Sequence, residues 1–385
     1  YSDRHAGGPE PVLLEEFPLP RVALKLIATG IQSEMHLARF TLSQVSYSGL
    51  QKELGPTSVG TLSTGWGSIV HAPGGLSEVA LAWVMGPSGA GWPGFRSVDI
   101  STWTPSAAVS LASTGGPVGR LVPGKSISAS GTAYAGDGYA VTWVRPSAAG
   151  PNESVIAVLD QYGQIKLGPI VTNPPDRTPG VTWAGSTYLL GIPLQTGGVQ
   201  LARLRPPNGT PGDLGGIELA QLLTTPAGLT LGRVSLRRLG SDVVVAWLEK
   251  PTSGSTLSPR VRVARVSSDG GLILDSGPTY AVTSTDSAVT LTVDGDSPVV
   301  TWIEPGDSTL ADNVMGRALV RVVRLAPNLQ GPAVWTQSPS TKYYNMGSPW
   351  TISRGTPGAL LTTWGARSVS TGLEVIYAAR HDCAP

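Results

Sequence analysis

"AVTWVRP" occupies residues 140–146. It is a run of β-branched and aromatic residues, the composition of a strand, cut off by a charge and a proline. Near copies read "ALAWVMGP", "VVAWLEKP" and "VVTWIEP", placing tryptophans at 83, 143, 247 and 302, and a weaker copy, "LLTTWG", ends near Trp364. The steps between them are 60, 104, 55 and 62 residues. The step of 104 is two repeats of 52, and "YLLGIPL", residues 188–194, lies just before its midpoint. One step before Trp83 lies "VALKLIA", residues 22–28, so the strand occurs seven times.

A following strand keeps the same register. It reads "HLARFTL", "FRSVDIS", "SVIAVLD", "VQLARLR", "VRVARVS", "LVRVVRL" and "EVIYAAR", with arginine at the equivalent place in Arg39, Arg203, Arg265, Arg324 and Arg380. Two independent markers with one period identify an internal repeat. Each of these strands runs into a turn such as "SYSG", "DQYG", "PPNG" or "SSDGG", rich in residues that accept positive φ. A poorer strand with Gly-Pro follows, at Gly55-Pro56, Gly168-Pro169, Gly277-Pro278 and Gly331-Pro332. Proline cannot donate to a ladder, so this strand is expected at a sheet edge.

The unit is a four-stranded antiparallel meander of roughly 50 residues. Radial packing covers both faces of every such sheet, and the chain resembles a seven-bladed β-propeller of an exported bacterial type. Under this all-β expectation Val141 and Trp143 face one neighbouring blade, and Ala140, Thr142 and Val144 the other. No Gly-His and Trp-Asp pair at blade spacing matches WD40 repeats, and no double-Gly signature matches kelch repeats. "SSDGGLIL" resembles one degenerate Asp-box of sialidase-like propellers: Ser267, Asp269 and Gly271 match, and Leu274 replaces the tryptophan. That resemblance implies a turn-stabilising element away from an active site.

The expected organisation is a lead or tether at 1–10 and a single propeller over 11–385. Its blades are expected near 21–60, 61–120, 121–175, 176–227, 228–285, 286–340 and 341–381. The segment "PVLLEEF", residues 11–17, is expected to close the ring, as the rim strand of the last blade or the innermost strand of the first.

Composition agrees with a turn-rich β protein: 49 glycines, 33 prolines and only 14% charged residues. With 27 basic and 26 acidic residues and no basic run, the chain carries no electrostatic footprint for nucleic acid. No window sustains the roughly 20 apolar residues of a spanning helix. The opening "YSDRHAGGPEP" has the polar, Gly/Pro-bearing character of a segment behind a removed signal peptide or lipoprotein tether, a character that a truncated chain shares. The expected location is therefore extracellular, cell-surface or periplasmic. The single cysteine, Cys383, forms no internal disulfide. The sequons at Asn152 and Asn208 matter only in a glycosylating host.

Strand alternation sorts the connections onto two faces. Those between first and second strands, such as "GDG", "AGST", "LGSD" and "DGDS", are short, and include Asp137, Asp242 and Asp296. Those between second and third strands are long: "GPSGAGWPG", "RPSAAGPNES", "EKPTSGSTLSPR" and "EPGDSTLADNVMGR", with "TQSPSTKYYNMGSP" between blades on the same face. Binding concentrates on long loops held by a rigid scaffold. The expected ligand-binding residues are Arg145, Glu249 and Glu304 at strand ends, and Trp92, Tyr343 and Tyr344 in the loops. Aromatic planes beside charges suit a protein partner or assembly subunit, with a glycan as the alternative.

Catalytic signatures are lacking. His5, His36, His71 and His381 are scattered, and neither a Gly-x-Ser-x-Gly elbow nor a phosphate loop occurs. Glu249 and Glu304 in adjacent blades could act as a glycosidase or lyase acid/base pair. Asp294 and Asp296 suggest calcium but lack further oxygen ligands. The expectation is a non-catalytic scaffold with no metal and no cofactor.

Overall fold

The computed structural model describes residues 11–15, 21–28, 34–42, 50–61, 67–75, 77–86, 91–113, 115–116, 118–147, 150–172, 178–194, 197–275, 280–281, 289–304, 319–329, 332–337, 343–353, 358–368 and 374–382. These residues form seven antiparallel sheets in which consecutive strands pair. The first sheet contains Pro11–Glu15, Arg21–Ala28, Glu34–Leu42 and Leu50–Thr61. The second contains Gly67–His71, Glu78–Met85, Trp92–Asp99 and Val109–Ser110. The third contains Val118–Ile127, Tyr134–Ser147, Gly150–Asp160 and Ile165–Val171. The fourth contains Gly180–Trp183, Tyr188–Pro193, Val199–Arg205 and Gly216–Leu223. The fifth contains Leu229–Leu239, Asp242–Pro251, Arg260–Ser267 and Leu272–Asp275, with Tyr280–Ala281 also on its third strand. The sixth contains Thr290–Asp294, Ser297–Glu304, Leu319–Leu325 and Pro332–Gln337. The seventh contains Tyr343–Ser353, Ala359–Ser368 and Glu374–Asp382.

The first strand of each sheet packs against the first strand of the next, and Pro11–Glu15 touches both Gly67–His71 and Tyr343–Ser353. Inner strands that contact one another in a closed circuit make a β-propeller. Five successive sheets, the second to the sixth, are complete meanders of at least four strands whose mutual packing is followed below side chain by side chain.

That packing explains the repeated strand. Val141 and Trp143 lie with Ala80, Ala82 and Phe95 in the core between the second and third sheets. Ala140 points the other way, joining Tyr188 and Leu190 between the third and fourth. Trp247 sits with Leu189 and Leu201 of the fourth sheet, and Trp302 with Val244 and Ala246 of the fifth. Trp83 packs with Ile69, Val79 and Val98 on the face of the second sheet turned away from the third. Each tryptophan therefore faces the preceding blade, and all four are buried. A fully buried large apolar side chain contributes about 1.5–3 kcal/mol as an upper bound, and the repeat sums that contribution around the ring.

Three expectations change. Pro11–Glu15 pairs with Arg21–Ala28, so it is the innermost strand of the first sheet and not a rim strand of the last. The seventh sheet accordingly has three strands among the described residues, not four. The face expected to be plain also carries two long connections, residues 100–108 in the second sheet and 206–215 in the fourth. The latter is a closed loop. The Arg205 guanidinium grips Asp213 through two bonds of 2.7 and 2.8 Å, and the Asn208 and Gly215 amides donate to the same carboxylate. Those bonds, the one from Arg205 foremost, hold the Asp213 carboxyl well below the usual range.

The Gly-Pro pairs at 55–56 and 168–169 lie in outer strands, and Pro332 opens another, as edge protection requires. Gly277-Pro278 lies outside the described residues, as does Cys383. Among the described residues no helix is long and apolar enough to cross a membrane.

Candidate functional site

The charged strand ends expected to face a ligand are bound within the protein wherever their side chains are described. Arg145 stands in register opposite Glu153, to which its Nε donates at 2.9 Å, and the Ser147 hydroxyl donates to the same carboxylate at 3.2 Å. The ladder continues to Ser147 opposite Gly150, so much of "RPSAAGPNES" is hairpin and not open loop.

Glu249 is completely buried. Its Oε2 accepts from Arg260 Nε at 2.5 Å. Its Oε1 accepts from Arg262 at 3.0 Å, the Thr225 hydroxyl at 3.0 Å and Trp247 Nε1 at 3.3 Å. Arg262 also donates to the Thr224 carbonyl at 2.8 Å. Arg260 opens the third strand of the fifth sheet, and Thr225 lies in the connection arriving from the fourth. One carboxylate thus pins the bases of two connections on the long-loop face. A carboxylate with both oxygens committed in this way braces the loops and is not presented to a ligand. Reversing its charge probes folding, not binding.

The remaining expected residues sit on strands. Trp92 opens the third strand of the second sheet opposite Met85. Its ring covers Gly86, where φ is +101° and an added Cβ would come within 2.7 Å of the indole. Tyr343 and Tyr344 open the inner strand of the seventh sheet, opposite Ser368 and Arg367, and are not loop residues. Glu304 ends the second strand of the sixth sheet opposite Leu319.

On the opposite face, two short-turn aspartates join adjacent blades. Asp294, fully buried, accepts from Arg324 at 2.9 Å within its own sheet and from the Ser353 hydroxyl and the Gly358 amide of the seventh at 2.8 and 2.7 Å. Asp242 accepts from Arg265 Nε at 2.7 Å, and Arg265 reaches the Pro327 carbonyl of the sixth sheet at 3.0 Å. Arg265 and Arg324 belong to the arginine series that marked the repeat, and here those side chains tie a blade to its own turn. The Asp294 carboxylate suspected of holding calcium is an inter-blade clasp. No group of three or more potential metal-binding residues occurs among the described residues.

A third cluster, not anticipated from the sequence, lies on the axis. The Arg120 guanidinium stands over the Trp350 ring, 4.4 Å from its centroid. These residues belong to the inner strands of the third and seventh sheets, which are not neighbours in either direction around the ring. Such a contact is possible only across the central channel. Arg233, on the inner strand of the fifth sheet, joins them electrostatically: crowding by protein, and second the Arg120 charge, pull its guanidinium down to about 10. Arg233 is nonetheless exposed.

Bulges aim these side chains. Register shifts interrupt the inner strands between Val118 and Arg120, between Leu231 and Val234, and between Met346 and Trp350. All three lie at the level of the buried tryptophans, and a bulge re-aims the side chains beside it. The sequence signal was the dipeptide Gly-Arg, occurring at both Gly119-Arg120 and Gly232-Arg233. At Gly119 an added Cβ would lie 2.6 Å from the Cβ of Thr178, which precedes the first strand of the fourth sheet, so glycine permits the close inter-blade spacing there.

No family model matches the chain, and no curated protein matches it in sequence. Among solved structures, the chain is similar to the β-propeller domain of the Trilobed protease from Pyrococcus furiosus, at 9% identity over 99% of both chains with a TM-score of 0.49. An α-L-arabinofuranosidase from Fusarium graminearum matches at 10% identity over 82% of this chain and 92% of that one, with a TM-score of 0.47. The WD40 domain of SCAP from fission yeast matches at 10% identity over 99% and 96% of the two chains, with a TM-score of 0.41.

Proposed function

We propose that this propeller is a non-catalytic, exported binding scaffold that engages a protein partner or assembly subunit through the face carrying its second-to-third-strand connections. The observation behind this reading is the brace at Glu249. A buried carboxylate bonded by Arg260, Arg262, Thr225 and Trp247 lies beneath the exposed connection of residues 252–259. Holding loop bases rigid lowers the entropy lost when the loops meet a partner, which favours binding. The same commitment of both oxygens to four donors disfavours acid/base work on a sugar by this carboxylate.

The test is affinity capture from the native organism with the intact chain and with a variant in which residues 253–257 are replaced by a Gly-Ser linker of equal length. The reading expects a partner held by the first and lost by the second, with unchanged melting. Capture that survives the loop replacement overturns the assignment of the face. Turnover of a chromogenic α-L-arabinofuranoside, or glycan-array binding in place of protein capture, overturns the class.

A further inference from the structure

We infer that Asn208 is a site of self-modification, at which the Gly209 backbone nitrogen attacks the Asn208 side-chain amide and, with water as the only co-reactant, converts the asparagine to aspartate or isoaspartate. Asn208-Gly209 is the one Asn-Gly pair in the chain, and it lies in the closed loop 206–215, where both residues are exposed. Gly209 has no side chain to shield its nitrogen from the neighbouring amide carbon, and it holds φ at +84°, a conformation that glycine adopts without steric cost. Among the described residues its amide has no hydrogen-bond partner, so the nucleophile is not committed elsewhere.

The same turn prepares the electrophile. The Thr210 amide donates to Asn208 Oδ1 at 2.9 Å. A backbone N–H on that oxygen draws electron density from Cγ and stabilises the oxyanion that forms when nitrogen adds there. The segment is held at both ends, since the Asn208 amide donates to Asp213 at 2.7 Å and the Asp213 amide donates to the Thr210 carbonyl at 3.0 Å. Reacting groups confined to adjacent positions need no diffusional encounter. Solvent base takes the Gly209 amide proton as the N–Cγ bond forms, and the Cγ–Nδ2 bond breaks with loss of ammonia, leaving a succinimide. Water then opens the ring. Cleavage of the bond from nitrogen to Cγ gives aspartate, and cleavage of its bond to the Asn208 backbone carbonyl carbon gives isoaspartate.

Either product places a new carboxylate in the turn that already holds Asp213, whose charge Arg205 has answered. Like charges at such a separation repel, so the loop loosens. The chain as a whole loses its formal net charge of +1. This inference does not rest on the loop-face reading, since the 206–215 connection lies on the opposite face.

The test is incubation of the folded, full chain at neutral and mildly alkaline pH, followed by intact mass, isoelectric focusing and peptide mapping with isoaspartyl methyltransferase labelling. The expected result is a gain of one mass unit and an acidic shift, both assigned to residue 208, at a rate that rises with hydroxide because the attacking amide must lose its proton. Asn152, followed by Glu153, and Asn328, followed by the buried Leu329, should convert at least tenfold more slowly. N208Q should show no conversion at this position, since its longer side chain does not form the five-membered ring, and G209A should slow conversion at least tenfold. N208D, which carries the charge of the product, should speed amide hydrogen exchange across residues 206–215, and exchange unchanged from the parent overturns the loosening of the loop. A folded parent that stays unmodified at residue 208 while the urea-unfolded chain converts overturns the site, as does conversion spread equally over the three asparagines or a rate unchanged in G209A.

Discussion

Glu249 shows how burial changes what a residue is for. It lies near the end of a strand beside a lysine and a proline, and in the sequence it has the appearance of a solvated charge. In the fold it is fully buried and bonded through both oxygens. Removing one partner of a buried ion pair leaves the other desolvated and uncompensated. Glu249→Gln should therefore destabilise the protein by about 3 kcal/mol, near the lower end for such pairs because Arg260 retains some exposure. Equilibrium urea unfolding measures this. A loss below about 0.5 kcal/mol, typical of a surface site, would show that the carboxylate does not brace the loops.

The working element is the tight hairpin turn that follows the third strand in the third and fifth sheets. In "DQYG" the Asp160 carboxylate accepts from the Tyr162 and Gln164 amides, both at 2.9 Å, and Gly163 completes the turn at φ +84°. The Asp-box-like turn in the fifth sheet uses the same device: Ser267 and the Gly271 amide donate to Asp269, and those bonds, Ser267 first, lower its carboxyl below the ordinary value. That stretch is thus a turn stabiliser, as its resemblance implied. Gly163 has a second duty, because an added Cβ would fall 2.2 Å from the Phe95 ring of the second sheet. Gly131 has a similar φ, +78°, with open space around it. Gly131→Ala should cost about 1 kcal/mol from backbone strain alone. Gly163→Ala should cost 1–3 kcal/mol more, from overpacking. Thermal or urea denaturation of the two variants side by side separates strain from clash, and equal losses would show that the turn does not seat against the neighbouring blade.

At the scale of the whole molecule, the ring is joined among the described residues by packing and not by a shared sheet. Pro11–Glu15 belongs to the first sheet and touches the inner strands of the second and seventh. Deleting residues 1–18 should remove those contacts together and uncover the edge of Arg21–Ala28, a strand edge open to aggregation. Loss of a few kcal/mol of packing corresponds to a fall in melting temperature of roughly 5 °C or more. Calorimetry of the deleted chain measures it, and an unchanged transition would mean that this strand contributes nothing to closure.

The sequence by itself determined the repeat, the order of strands within a blade and the burial of the tryptophans. These follow from alternation and spacing, which are local. A strand such as "AVTWVRP", apolar on both sides, can be satisfied only between two other sheets. The axial cluster was decided by tertiary structure alone. Arg120, Arg233 and Trp350 are separated by more than a hundred residues at each step, and only closure of the ring brings their inner strands within reach of one another. The fate of the charged strand ends was likewise invisible, because Glu249 acquires Thr225 and Arg262 from register and blade packing that no local pattern encodes. Periodicity specifies which side of a strand is buried, whereas the contacts of a polar side chain depend on which strands from elsewhere in the chain arrive beside it.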